Sequence, residues 1–132
     1  MDKILKIDVS VIGELWAASN FLLDLPGKWA YSTLAFSSDE LIGFAIFSYK
    51  DPVVHLHRLA VDDSFRRLGI ASLMVRAAAN LMKLNNIQTM TAKIHKTNAL
   101  SRSFFESFSF LETGESGDNI LIQAEIVALY LQ

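Results

Sequence analysis

One stretch constrains this chain more than any other: a strand-patterned run, a polar turn, a helix-patterned segment and a second short strand, in unbroken succession. Residues 53–61 (VVHLHRLAV) are rich in β-branched and aliphatic side chains and read as a strand. Residues 70–83 place Ile70, Leu73, Met74, Ala77, Ala78 and Leu81 at i, i+3, i+4, i+7, i+8 and i+11. That spacing predicts a helix with this stripe turned to the core. Asn85-Asn86 ends it, and residues 89–94 alternate as a strand should. Two strands joined through such a helix lie parallel in one sheet, with a right-handed crossover.

The flanking segments extend the sheet. Residues 3–7 read as a short strand, and Ser10 as the cap of a helix carrying Val11, Ile12, Leu15, Trp16, Leu22 and Leu23. Pro26-Gly27 stops it. Residues 29–36 and 41–49 form a hairpin about Ser37-Ser38-Asp39-Glu40, and Asp51-Pro52 breaks the chain before residue 53. Asn98 caps a second short helix with Leu100, Phe104 and Phe108 on one face. A turn near Gly114 to Asp118 precedes a closing apolar strand over residues 120–131. The order β-α-β-β-β-α-β-α-β-β makes an α/β (α+β) domain over residues 1–132. Its twisted sheet has about seven mostly antiparallel strands, one parallel crossover and about three helices. The last strand holds more apolar side chains than one face can bury, so pairing of two copies through the C-terminal strands is expected.

Composition narrows function. Twelve basic and fourteen acidic residues give a net charge of −2, which argues against a general nucleic-acid binder. With no cysteine there is no disulfide, thiol nucleophile or thiolate-held metal. No apolar run approaches the ~20 residues of a membrane span and no leader is recognisable. The expectation is a cytoplasmic protein without a membrane or nucleic-acid partner. Any anion site must be local.

Such a site is offered by Arg66-Arg67-Leu68-Gly69-Ile70-Ala71-Ser72, where a strand empties into a basic turn at a helix start. Helix N-termini present unpaired N–H groups and a positive dipole end to anions. Glycine lets a backbone come close to a ligand, and forked guanidinium groups suit phosphate. On spacing alone, an ordinary solvated turn accounts for these residues equally well. Residues 66–71 nevertheless fit the Q/R-x-x-G-x-G/A signature and resemble the GNAT superfamily of N-acetyltransferases. Leu59-Ala60-Val61 is similar to that family's bulged strand, whose backbone pairs with the pantetheine arm. Residues 98–110 (NALSRSFFESFSF) resemble its N-x-x-A-x-x-F-Y-x-x-x-G-F stretch. The resemblance spans about residues 53 to 112.

It implies acetyl-coenzyme A as co-substrate, no metal, and acetyl transfer to a primary amine by direct attack in a ternary complex. The acceptor would be a small amine, an amino acid or antibiotic amine, or a protein N-terminus or lysine. Cofactor contacts would come from Leu59, Ala60, Val61, residues 66–72, Asn98, Phe105 and, near the nucleotide phosphates, Arg102. A main-chain N–H near Leu59 to Val61 would polarise the thioester carbonyl.

His55 and His57 lie two apart and share a strand face. They are open to three readings: packing, two metal ligands needing a third such as His95, or a general base titrating near neutrality. The segment is similar to that of arylalkylamine N-acetyltransferases, which carry an H-x-H pair on a proton-removal route, and that implies catalytic roles for His57 and His55, His57 being nearer the bulge. Phe105 departs from the family, which has there a tyrosine that protonates the departing thiolate. Ser101 stands where alanine is usual and Ser109 where glycine is usual. The thiolate leaves unaided, or another group such as Ser107 or Tyr130 assists, or the protein is an acetyl-coenzyme A-binding regulatory or interaction module with little turnover.

Overall fold

Residues 31–50, 52–66 and 68–130 are described by the structure, a computed structural model. The strand expected at residues 3–7, the helix from Ser10, Arg67 and Leu131 lie outside the described residues. Within them the chain runs β1 (Thr33–Ser37), β2 (Glu40–Lys50), β3 (Val53–Val61), α1 (Ile70–Leu84), β4 (Thr89–His95), α2 (Ala99–Ser107), β5 (Leu111–Ser116), β6 (Asn119–Glu125) and α3 (Ile126–Tyr130), with a 3₁₀ turn at Asp63–Phe65. Six strands form one sheet in the order β1-β2-β3-β4-β6-β5. Only β3 and β4 run parallel; every other pair is antiparallel.

The hairpin β1–β2 forms later than expected. Tyr31 is helical and buried, and β1 starts only at Thr33. Ser32 helps end the pairing, its Oγ accepting the Phe47 N–H at 3.1 Å.

Helix α1 covers the expected residues, but its buried face is not the expected one. Met74, Val75, Ala78, Ala79 and Met82 are buried, whereas Leu73 is 63% and Leu81 44% exposed and Ala77 faces solvent. The spacing is the same, moved on by one residue, a rotation of about 100°. Two neighbouring stripes of α1 are apolar. Both carry two alanines at their middle, and the buried one has Met74, Val75 and Met82 in place of Leu73, Met74 and Leu81.

The C-terminal segment also differs. Strand β6 ends at Glu125, and the chain then turns helical, starting with the Ile126 N–H donating to the Gln88 carbonyl at 2.8 Å. Ile126 and Leu129, three apart, are both buried in the core cluster. A short apolar run does not distinguish strand from helix by itself, and here the i, i+3 pairing wins. Ile120, Ile122, Ile126 and Leu129 are therefore buried within the chain, while Val127 is 54% exposed. Burial of those four answers part of the argument for pairing two copies through this segment. The free sheet edge beyond β6 is β5, whose sequence LETGES is mostly exposed and polar.

Candidate active site

The site begins with a bulge. Along β2–β3, Ile46 pairs with Arg58 but Phe47 pairs with Leu56, so His57 is an extra residue in β3. A bulge bends its strand and sharpens its twist. The consequence follows at once on the other side. Strand β3 pairs with β4 only from Val53↔Thr89 to Leu56↔Ala92. Beyond that point β3 stays with β2 as far as Val61, while β4 stays with β6 as far as His95. The two central strands form a fork, and residues 58–61 present, on the β4 side, an edge with no strand beside it among the described residues.

The bulge also reassigns faces. Val54, Leu56, Leu59 and Val61 stand opposite Tyr49, Phe47, Ala45 and Gly43 on the face covered by α1. His55, Arg58 and Ala60 stand opposite Ser48, Ile46 and Phe44 on the other face. His57 belongs with them, since its Nε2 shares a 2.6 Å hydrogen bond with Ser48 Oγ. The fully buried Arg58 therefore follows His57 on the same face.

On the helix face a groove starts inside the fork. A hollow of about 220 Å³ is lined by Leu59, Ala60 and Val61 from β3, Asn98, Leu100, Ser101, Phe104 and Phe105 around α2, and Arg66 and Ala71. A second, of about 280 Å³, shares Val61, Arg66, Ala71 and Phe104 and continues past Phe65 to Gly69, Ile70 and Ser72. The groove thus runs from the fork to the N-terminus of α1. There Gly69 is the N-cap with φ +80, and the first intrahelical bond is from the Leu73 N–H to the Gly69 carbonyl at 3.0 Å. The first-turn amides of Ile70, Ala71 and Ser72 have no such partner and point out of the helix end. A Cβ at Gly69 would meet no atom within 4 Å. Its glycine is demanded by the left-handed backbone rather than by crowding, and the open space beside it is available to a ligand.

Arg66 lines both hollows but is not a loose cation. Its Nη1 lies 2.6 Å from Asp63 Oδ1, and its Nε donates to the Val61 carbonyl at 3.1 Å. It braces the turn against the end of β3. Asn98 accepts the Ser101 N–H on its Oδ1 at 3.1 Å, which caps α2 and fixes its entry angle. Phe105 is 1% exposed at the groove wall, edge-on to Phe104 and Phe110.

Three expected contacts lie elsewhere or outside the described residues. Arg102 reaches the Lys96 carbonyl at 3.3 Å and lines a separate recess with Glu106 and Glu112. Leu68 is 67% exposed and lines neither hollow. Arg67 is outside the described residues. Conversely, Phe65, Leu100 and Ser101 line the groove without having been assigned to it, and Phe104 joins Phe105 in its wall. The signal that could have found the α2 residues is helical spacing: Ser101 precedes Phe105 by one turn, and Leu100 precedes Phe104 likewise.

On the opposite face, His55 and His57 meet edge to face, with ring centroids 4.7 Å apart. His55 Nδ1 shares a 2.8 Å hydrogen bond with Thr91 Oγ1 across the paired part of the fork. Burial, aided by the positive charge of Lys93, pushes the His55 pKa down. His57 sits at the bulge itself, past the last β3–β4 pair. Both histidines line a hollow of about 470 Å³ with Ser48, Lys50, Pro52 and Val53. Among the described residues, no three His, Asp or Glu side chains gather as a metal site, and no helix is long and apolar enough to cross a membrane. Chemically, the arrangement offers an amide-rimmed anion site, an apolar channel with bare β-strand edge, and imidazoles on the far side of the same gap.

Residues 6–110 match the model of the acetyltransferase (GNAT) family. The chain belongs to that family. The [ribosomal protein bS18]-alanine N-acetyltransferase of Haemophilus ducreyi is 26% identical over 96 residues, 72% of this chain and 65% of that relative. The chain therefore matches just under two thirds of that relative's length. Ard1 from Thermoplasma volcanium superposes with a TM-score of 0.82 at 20% identity, over 94% of this chain and 89% of that one. The PaiA N-acetyltransferase from Thermoplasma acidophilum, solved with coenzyme A, gives 0.70 at 21% identity over 71% and 59%. At these identities the structural likenesses speak for the GNAT fold.

Proposed function

We propose that this GNAT protein transfers the acetyl group of acetyl-coenzyme A to a primary amine. The fork carries this reading: a bare strand edge at Leu59–Val61 continues into a groove that ends on the α1 amides. The groove suits a ligand with an anionic end and an extended amide-bearing arm. The α1 N-terminus would hold the pyrophosphate, with Arg66 bracing the turn. The edge of β3 would pair with the pantetheine amides and turn a main-chain N–H toward the thioester oxygen. Leu59, Phe104 and Phe105 exclude water from the arm.

The acceptor then enters from the other face, where His57 borders the gap. His57, steadied by Ser48 and set edge to face with His55, takes the amine proton directly or through water. Among the possible acceptors, an α-amine fits best. Its pKa of about 7.7–8.0 lies far below the ~10.4 of a lysine, so much more of it is neutral near pH 7 and its proton is far more easily passed to an imidazole. A relative that acts on the alanine of a ribosomal protein supports the same choice. The cytoplasm, where such chains and acetyl-coenzyme A are made, is the compartment this reading requires.

The test is thiol release from acetyl-coenzyme A with a panel of peptides of free N-terminus, free amino acids and arylalkylamines. Peptide-dependent release is expected, with His57→Gln losing rate most at and above neutral pH, where a neutral imidazole can take the proton, while still binding coenzyme A. Binding of coenzyme A without release above hydrolysis for any amine would leave a regulatory or interaction module instead.

A further inference from the structure

Phe105 occupies the groove wall with no proton to give, yet acetyl transfer leaves an anionic sulfur in a channel lined mainly by Leu59, Ala60, Val61, Leu100 and Phe104. An anion in such surroundings is costly unless something donates to it. Among the described residues lining it, three side chains carry polar hydrogens: Arg66, Asn98 and Ser101. Arg66 is held by Asp63 and the Val61 carbonyl, and the Asn98 side chain is fixed in place by its Oδ1, which accepts the Ser101 N–H as the α2 cap. Ser101 differs. It stands one turn before Phe105 on the same side of α2, and its Oγ has no hydrogen-bond partner among the described residues. Ser107, the other serine considered, is exposed, lines no part of the groove, and donates its hydroxyl to the Phe104 carbonyl at 2.7 Å.

We infer that the Ser101 hydroxyl donates a hydrogen bond to the coenzyme A sulfur as the thioester breaks. This rests on the acetyl-transfer reading of the groove. The amine nitrogen bonds to the carbonyl carbon, the C–S bond breaks, and its electron pair stays on sulfur. The amine proton leaves on the histidine face. Ser101 keeps its own proton, because an aliphatic hydroxyl is far less acidic than a thiol; the thiolate is protonated afterwards from water. Ser101 therefore acts as a donor that stabilises developing charge, not as an acid.

The hydrogen bond is read most directly in the product complex, without any amine. The thiol of bound coenzyme A is titrated by thiolate absorbance in wild type, Ser101→Ala and Ser107→Ala, beside affinities for coenzyme A and for desulfo-coenzyme A. A donor to the thiolate lowers the bound thiol pKa by about one unit, tenfold in acidity, relative to Ser101→Ala. Ser107→Ala should match wild type, and desulfo-coenzyme A should bind all three alike. Equal thiol pKa values in wild type and Ser101→Ala overturn the inference, as does failure of coenzyme A to bind. A Ser101-dependent shift in a protein that acetylates no amine supports the hydrogen bond and sinks only the transferase reading.

Discussion

His55 and His57 occupy adjacent places on one face, but the bulge gives them different work. His55 lies in the part of β3 still paired to β4, tied to Thr91 and pushed toward its neutral form by burial and by Lys93. Its folded-state pKa is below the ~6.5 of the unfolded chain, so the unfolded state takes up the proton first as pH falls. The stability linked to His55 is complete above about pH 6.5. It declines as pH drops from there through the folded-state pKa, then levels off. Thermal unfolding followed from pH 8 to pH 5 should show wild type losing more midpoint than His55→Gln across that window; parallel curves would remove the coupling. The shared face of the two histidines was legible from strand alternation. Their partners Ser48 and Thr91 were not, because those contacts depend on how β2 and β4 register against β3 across long sequence gaps. Ser101 was noticed as a family departure, but its place in the groove follows only once α2 is set against the fork.

Among the elements, the β3–α1–β4 unit was the most legible, because its boundaries are punctuated by Asp51-Pro52, Gly69 and Asn85-Asn86. The orientation of α1 was not. Its sequence is apolar over two adjacent stripes, and packing against the sheet decides between them. The segment after Glu125 reads as strand until the core offers Ile126 and Leu129 a helical fit. Gly43 on β2 shows how tightly α1 and the fork are joined. It faces Val61 across the β2–β3 pair, and a Cβ there would lie 3.0 Å from the Ala60 carbonyl oxygen and 3.2 Å from Met74 Cε. Methionine can swing aside, but the Ala60 carbonyl belongs to the strand that lines the groove. Gly43→Ala should therefore cost about 1–3 kcal/mol by overpacking, seen as a lowered denaturant midpoint with unchanged slope. A midpoint equal to wild type would show that the helix and strand yield freely.

For the whole molecule, the bulge at His57, the parting of β3 from β4 and the groove to Gly69 form one causal chain. An extra residue twists one strand away from its parallel neighbour. In the proposed reading, the gap that results exposes strand edge to a ligand on the helix face and brings the acceptor in from the histidine face. The family signature made the Gly69 end of this groove legible, since it is local in sequence. The exclusion of Arg102 from it was not, because which side of a short helix meets the sheet depends on packing. The most direct test is the backbone amide spectrum of the protein titrated with coenzyme A. The largest shifts should fall at Leu59–Val61, Gly69–Ser72 and Asn98–Phe105, with the Lys83, Gln88 and Glu125 hollow at the opposite end of α1 unmoved. Shifts centred on that distant hollow, or none at all at saturating coenzyme A, would contradict the placement of the active site in the fork.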